Sequence, residues 1–267
     1  MNKFMTEKTL SSRLEFLTEL CMERIRDYQE LDIYGKKVLT PYFINTPARF
    51  FTQLMRNVGV SSEKLKAFYD AYKERKIPYG WYQGKGTPKE ITFATTTLSE
   101  KMGLSLRNAS PEVIRQFMKL YGLGIDCSGF IYQTLSYAFS KIGKLQQFND
   151  SLSWENPKFQ TTYRAGVFVF AGEASKVIMP QNVSSLDIIC FKKGNDEYGH
   201  IALVVRQNGE FMITQSEVSV VPDGVNLSNF SADREKPHFG FKPEIGKSWQ
   251  QLYKEGTLEF RRLKILD

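Results

Sequence analysis

The residues best suited to chemistry begin a largely apolar run that extends to about Phe139: Gly124-Ile125-Asp126-Cys127-Ser128-Gly129-Phe130. Asp126 or a neighbouring residue can cap the start of a helix, which places Cys127 in the first turn. A thiol at that position faces unpaired backbone N–H groups and the positive end of the helix dipole, and both favour the thiolate. The pattern therefore predicts a cysteine nucleophile, and the same N–H groups can hold an oxyanion.

The other two cysteines, Cys21 and Cys190, are predicted to be core residues, because free cysteines usually act as small buried hydrophobes. Three cysteines are too few, and too odd in number, for a disulfide framework. They also lack the spacing of metal ligands, and the chain offers two histidines to help them. We therefore expect neither a structural zinc site nor a cofactor.

His200 is the candidate base, because it opens an apolar run at residues 200–205 directly after a loop of charge and glycine. The dipeptide Asn208-Gly209 separates this run from a second one at residues 210–217, and Asn-Gly between two apolar runs strongly favours a hairpin turn. A two-residue turn places Val205 opposite Met212. The other histidine, His238, follows a proline in a polar region, and we expect it at the surface, as a fallback base.

Two polar residues compete for the third position of the site. If the hairpin register continues, Gln215 and Glu217 share the face of His200, because side chains alternate between faces along a strand. Gln215 would orient the imidazole without strongly raising its basicity, whereas Glu217 would stabilise the imidazolium more. A β-bulge would change this register, so the sequence leaves both residues open.

The front of the chain is predicted to be helical. Ser12-Arg13-Leu14-Glu15 fits a capping box, and apolar residues then recur at helical spacing through Tyr28, until Gly35. Further helices are expected near residues 50–58 and 61–76 and from Ser110-Pro111-Glu112 to Gly122. The glycine-rich stretch at residues 77–88 is expected to be a loop, and it lacks the Gly-Lys-Ser/Thr ending of a phosphate-binding loop.

The C-terminal part of the chain is predicted to form β-strands. Short apolar runs at Val167–Phe170, Asp187–Phe191 and Thr257–Leu263 flank or follow the hairpin. Helices in front and an antiparallel sheet behind predict an α+β fold, with the nucleophile helix packed on the sheet. We divide the chain into a helical region at residues 1–76 and a catalytic domain at residues 77–267.

Composition narrows the class of protein. The 267 residues are 42% hydrophobic, which is enough for a large core, and no apolar run reaches the length of a transmembrane helix. Residues 1–8 lack the apolar core of a secretory signal, so we expect either that the chain is not exported by that route or that a signal has been removed. The formal charge of +7 suits an anionic partner, but the basic residues are scattered, so no nucleic-acid partner is expected.

The segment Asp126-Cys127-Ser128-Gly129-Phe130 resembles the nucleophile motif of NlpC-type cell-wall cysteine peptidases, which have a reduced papain-like fold. Three more segments match in the family's order: Ile77-Pro78-Tyr79-Gly80-Trp81, Leu186-Asp187-Ile188-Ile189-Cys190-Phe191 and Gly199-His200-Ile201-Ala202-Leu203-Val204. Together they cover roughly residues 77 to 265. The interval between Tyr79 and Cys127 is longer than such domains usually have, and the N-terminal helices match nothing in the family.

The resemblance implies a Cys127–His200 pair with Gln215 as third residue, while Tyr79, Asp126 and Ser128 would contact substrate. The related CHAP amidases have a glutamate in the third position, which would suit Glu217. The implied activity is hydrolysis of amide bonds in peptidoglycan stem peptides. Two alternatives stay open: an acyltransferase, deamidase or toxin that acts on another substrate, and a binding module without catalysis.

Overall fold

The computed structural model describes residues 2–43, 63, 84–155, 164–193, 197–231, 237–240 and 247–267, with side chains from residue 12 onward. Its helices are α1 (Asn2–Gln29), α2 (Pro88–Lys101), α3 (Pro111–Leu120), α4 (Cys127–Lys141), α5 (Leu145–Ser151), α6 (Val167–Ala171) and α7 (Trp249–Lys254). Its strands are β1 (Leu31–Ile33), β2 (Lys36–Val38), β3 (Ser175–Ile178), β4 (Ile188–Lys192), β5 (Tyr198–Gln207), β6 (Glu210–Glu217), β7 (Gly224–Ser231), β8 (His238–Phe239) and β9 (Leu258–Leu263).

The helices pack against a curled antiparallel sheet. Within the described residues it has the strand order β3-β9-β4-β5-β6-β7-β8, and β1 and β2 form a separate small hairpin. One apolar cluster joins the sheet to α1, α3 and α4, and a second cluster on the sheet includes Trp249 of α7. The α+β class predicted from the sequence is confirmed.

The β5–β6 hairpin forms with the predicted turn and register. Asn208 and Gly209 both have positive φ angles, 52° and 87°, as a two-residue hairpin turn requires. Val205 lies opposite Met212, and Leu203 opposite Thr214, so no residue is inserted between the turn and these pairs. The regular pairing runs from Gln207–Glu210 at the turn to Leu203–Thr214.

Helix α4 lies at the centre of the molecule because its sequence is apolar on nearly every side. Most of its side chains are buried, and its ring of Phe130 lies 5.5 Å from that of Tyr28 in α1, in an edge-to-face arrangement. Cys21 of α1 and Cys190 of β4 are fully buried, as predicted. Helix α1 therefore shares one core with α4.

Several local predictions were wrong or fall elsewhere. Helix α1 begins at Asn2, ten residues before the expected capping box, and the hairpin of β1 and β2 was not predicted. Residues 167–171 form the short helix α6 rather than a strand, because a five-residue apolar run does not distinguish the two by periodicity. The helix expected at residues 50–58, Tyr79 and the domain boundary after residue 76 lie outside the described residues. Of the helix expected at residues 61–76, only residue 63 is described, and it is helical. In the part of the chain that the structure covers, no helix is long and apolar enough to cross a membrane.

Candidate active site

Cys127 is the first residue of α4, as the sequence predicts. The carboxylate of Asp126 caps the helix, since its Oδ1 accepts a hydrogen bond from the backbone N–H of Gly129 at 2.6 Å. Cys127 as a whole residue is 6% exposed and therefore largely buried. Its neighbours Phe130 and Ile131 are fully buried and fix the helix in place.

Cys127 lies close enough to His200 of β5 for its side chain to raise the pKa of the imidazole. The Nε2 of His200 lies 2.7 Å from Oε1 of Gln215 and 3.4 Å from Oε2 of Glu217. Because Nε2 has these two partners, Nδ1 is the nitrogen left for the thiol. The structure thus brings Cys127, His200, Gln215 and Glu217 together, although 73 positions separate the first two in the sequence.

The surroundings favour a charged imidazole. Burial by itself disfavours the imidazolium, but the Cys127 side chain, the Glu217 carboxylate and the Gln215 amide together raise the pKa of His200 to about 9. The site therefore favours an imidazolium beside the Cys127 side chain.

Gln215 is held rigidly beside the imidazole. It is fully buried, and its Nε2 lies 3.5 Å from Oδ1 of Asn226, the residue opposite it on β7. Asn226 in turn donates a hydrogen bond to the backbone oxygen of Gly224 at 3.0 Å. The chain of contacts leaves Oε1 of Gln215 pointing at His200. Asn226 was missed at the sequence level because β7 has no clear alternation of apolar and polar residues.

Aromatic rings cover the imidazole. The rings of Phe191 on β4 and Trp249 on α7 lie 5.5 Å and 6.1 Å from that of His200, centroid to centroid. They limit the exposure of its side chain to 15%. The fallback base, His238, lies on β8, with β6 and β7 between it and β5, and its side chain is exposed. The structure therefore does not bring His238 to the thiol.

The residues expected to contact substrate have other partners. The Asp126 carboxylate and the Ser128 hydroxyl both accept hydrogen bonds from Nζ of Lys85, at 2.8 Å and 2.6 Å. Their role in substrate binding stays a prediction, as does that of Tyr79, which lies outside the described residues. Sequence reasoning missed Lys85, which lies in a glycine-rich loop assigned no role.

Tyr42 is a further side chain at this site. Desolvation, followed by the negative charges of Cys127, Asp126 and Glu217, raises its pKa well above the usual value for tyrosine. Backbone hydrogen bonds hold its segment, because Ile125 donates to the oxygen of Pro41 and accepts from the N–H of Phe43. The sequence placed Tyr42 in a loop of aromatics and prolines, with nothing to connect it to Cys127.

Other features of the described chain lie apart from this cluster. A cavity of about 610 Å³ lies between α1 and the β5–β6 turn, and it shares no residue with the cluster. Among the residues that the structure describes, no group of three or more histidine, cysteine or acidic side chains is arranged to hold a metal ion. The chemistry available at the cluster is that of a thiol, an imidazole and their polar neighbours.

Comparisons with known proteins add no assignment. No family model matches the chain, and neither a curated protein nor a solved structure matches it.

Proposed function

We propose that this chain is a papain-like cysteine hydrolase that cleaves amide bonds in peptidoglycan stem peptides. One observation carries the proposal: Cys127, the first residue of α4, lies close enough to His200 to raise its pKa, and Nε2 of His200 lies 2.7 Å from Oε1 of Gln215. A nucleophile at a helix start, a base within reach and a polar group that orients the base make up the set that acyl transfer needs.

The reaction proceeds in two stages. His200 holds the proton of Cys127, and the thiolate attacks the amide carbonyl to give a tetrahedral oxyanion. The backbone N–H of Cys127, at the helix N-terminus, donates to that oxyanion. The C–N bond then breaks as His200 gives its proton to the leaving amine. Water, deprotonated by His200, attacks the thioester, and the acid product leaves with the thiol restored.

The geometry of the second nitrogen supports the assignment of Gln215. Since Oε1 of Gln215 accepts at Nε2, it holds the imidazole with Nδ1 towards the sulfur in both stages. Glu217, at 3.4 Å, adds negative charge that favours the imidazolium over the neutral ring. In this mechanism Gln215 orients the base and Glu217 tunes its charge.

Peptidoglycan as substrate rests on the motif resemblance and on charge. The chain carries a formal charge of +7, which attracts an anionic cell-wall polymer over long range. The pattern of a helix-borne cysteine packed on an antiparallel sheet also supports the papain-like assignment.

The proposal is tested with purified peptidoglycan, incubated with the wild-type chain and with Cys127→Ala, followed by mass spectrometry of released fragments. We expect wild type to release muropeptide fragments with new amino termini, and Cys127→Ala to release none while keeping its circular dichroism spectrum. Equal release by the variant, or no release by either protein, would refute the proposed function. Transfer of the acyl group from Cys127 to an amine or alcohol acceptor, rather than to water, would instead indicate an acyltransferase.

A further inference from the structure

Lys85 is a buried cation at the start of α4, next to the residues that flank Cys127. Its side chain is 7% exposed, and Nζ lies 2.8 Å from Oδ1 of Asp126, 2.6 Å from Oγ of Ser128 and 3.1 Å from the backbone oxygen of Ala165. An ammonium has three N–H donors, and here each has an acceptor. Two of those acceptors belong to the residues on either side of Cys127.

The backbone around Lys85 is fixed against the first turns of α4. Gly84 accepts a hydrogen bond from the N–H of Asp126 at 2.9 Å, and the oxygen of Lys85 accepts from Nε2 of Gln133 at 2.7 Å. Gly129 permits this approach, because a Cβ at that position would lie 2.3 Å from the oxygen of Gly84. The ammonium is therefore held at one position relative to the helix start.

This position matters because Asp126 carries a negative charge beside Cys127. The side chains of Cys127 and Asp126 both contribute to the raised pKa of Tyr42, so the two side chains act on the same neighbour. A carboxylate with no cation beside it would oppose ionisation of the neighbouring thiol, since like charges destabilise each other. At 2.8 Å, the Lys85 ammonium offsets that carboxylate.

We propose that Lys85 is a positioning residue, which offsets the charge of Asp126 at the start of α4 and thereby sets the pH at which Cys127 ionises. This inference rests on the proposed function, in which Cys127 is the nucleophile. Among the described residues, the other titratable groups that interact with this site are His200 of β5, Cys190 of β4, Glu217 of β6 and Tyr42, and they are left unchanged in the variants below.

The test compares Lys85→Met, Asp126→Asn and the double variant. The pH midpoint of Cys127 ionisation is followed by the ultraviolet absorbance of the thiolate, corrected with Cys127→Ala, and by the rate of iodoacetamide alkylation. Cys21 and Cys190 are fully buried and do not interfere, because burial raises the pKa of both thiols.

We expect the midpoint to rise in Lys85→Met, where the carboxylate loses its cation. It falls in Asp126→Asn, where the cation is left without a carboxylate and asparagine still caps the helix. In the double variant it returns close to the wild-type midpoint. A loss of structure alone would not shift the midpoint in opposite directions or restore it when both charges are removed.

An unchanged midpoint in Lys85→Met, a shift of both single variants in the same direction, or no return in the double variant would overturn the inference. If circular dichroism shows that Lys85→Met does not fold, the test depends on Asp126→Asn alone. An unchanged or raised midpoint of Cys127 ionisation in that variant rejects the proposed role of Lys85. The readout needs no substrate. If the midpoints of the variants shift as expected but the wild-type chain leaves peptidoglycan intact, the proposed function is rejected and the role of Lys85 is kept.

Discussion

Replacement of Gln215 by methionine tests which residue orients the base. Methionine has a similar length but offers no strong acceptor at the position of Oε1, which lies 2.7 Å from Nε2 of His200. A hydrogen bond to a charged partner contributes about 1.5–3 kcal/mol. At about 1.4 kcal/mol for each factor of ten, Gln215→Met should lower kcat/KM roughly 10- to 150-fold.

Glu217→Gln gives the contrasting result. The substitution keeps the shape of the side chain but removes a charge 3.4 Å from His200, in a pair whose two side chains are 15% and 16% exposed. Loss of a neighbouring opposite charge lowers a histidine pKa by about one unit. The descending alkaline limb of the activity profile should therefore move from about 9 towards neutral pH, with a smaller effect on the plateau rate.

The assay is kcat/KM from pH 5 to 10 on a synthetic fluorogenic stem peptide, with pH values chosen to span the expected titration of the imidazole at about 9. Gln146→Met is the matched control, because Gln146 is an exposed residue of α5 that hydrogen-bonds Asp150 away from the site. If Gln215→Met kept the full rate while Glu217→Gln lost it, the third position would belong to Glu217. The reasoning from the shorter contact would then be refuted.

Three more outcomes follow from the structure. Because the pKa of His200 is raised from 6.5 to about 9, the imidazolium and the stability that it contributes are fully present below pH 6.5 and are lost as the pH rises through about 9. The loss of the imidazolium is followed by activity against pH, and the loss of stability by urea unfolding against pH. An activity that rises through pH 9 would contradict the raised pKa of His200. Gly129→Ala should lower the free energy of unfolding by about 1–3 kcal/mol, because its Cβ would overlap a backbone oxygen, and an unchanged urea midpoint would contradict the close approach. Asp187→Ala should lower the free energy of unfolding by about 3 kcal/mol, because it removes both contacts to Arg262, each 2.8 Å long. Glu255→Ala removes an exposed ion pair and should lower the free energy of unfolding by under about 1 kcal/mol. Equal losses of stability in the two variants would show that burial of the ion pair is not the cause.

The parts of the site that follow from local signals could be predicted from the sequence. The cap at Asp126 places Cys127 in the first turn, since a side-chain acceptor directly before an apolar run is typical of a helix N-cap. The Asn208-Gly209 turn fixes the pairing of β5 with β6 by simple counting, so Gln215 and Glu217 were both expected beside His200. Each of these conclusions depends on neighbours close in the chain.

Contacts between distant segments could not be predicted in this way. Lys85 lies 41 positions before Asp126, in a loop whose glycines suggest a turn but not a partner. Asn226 supports Gln215 through a strand with an irregular pattern of burial, and Tyr42 reaches the site through backbone pairing with Ile125. In all three cases tertiary packing decides the placement, and the residue types alone fit an ordinary surface loop equally well.

The charged groups around Cys127 form two pairs, one from each layer of the fold. His200 lies beside Glu217 on the sheet, and Lys85 lies beside Asp126 at the start of α4. In the proposed mechanism, transfer of the thiol proton to His200 moves charge within this group without changing its total, so little of the charge has to be compensated by solvent. Because the groups are largely shielded from water, their mutual interactions are screened only weakly by salt. The arrangement thus places paired opposite charges beside Cys127 in a largely buried site, where an isolated charge would be strongly disfavoured.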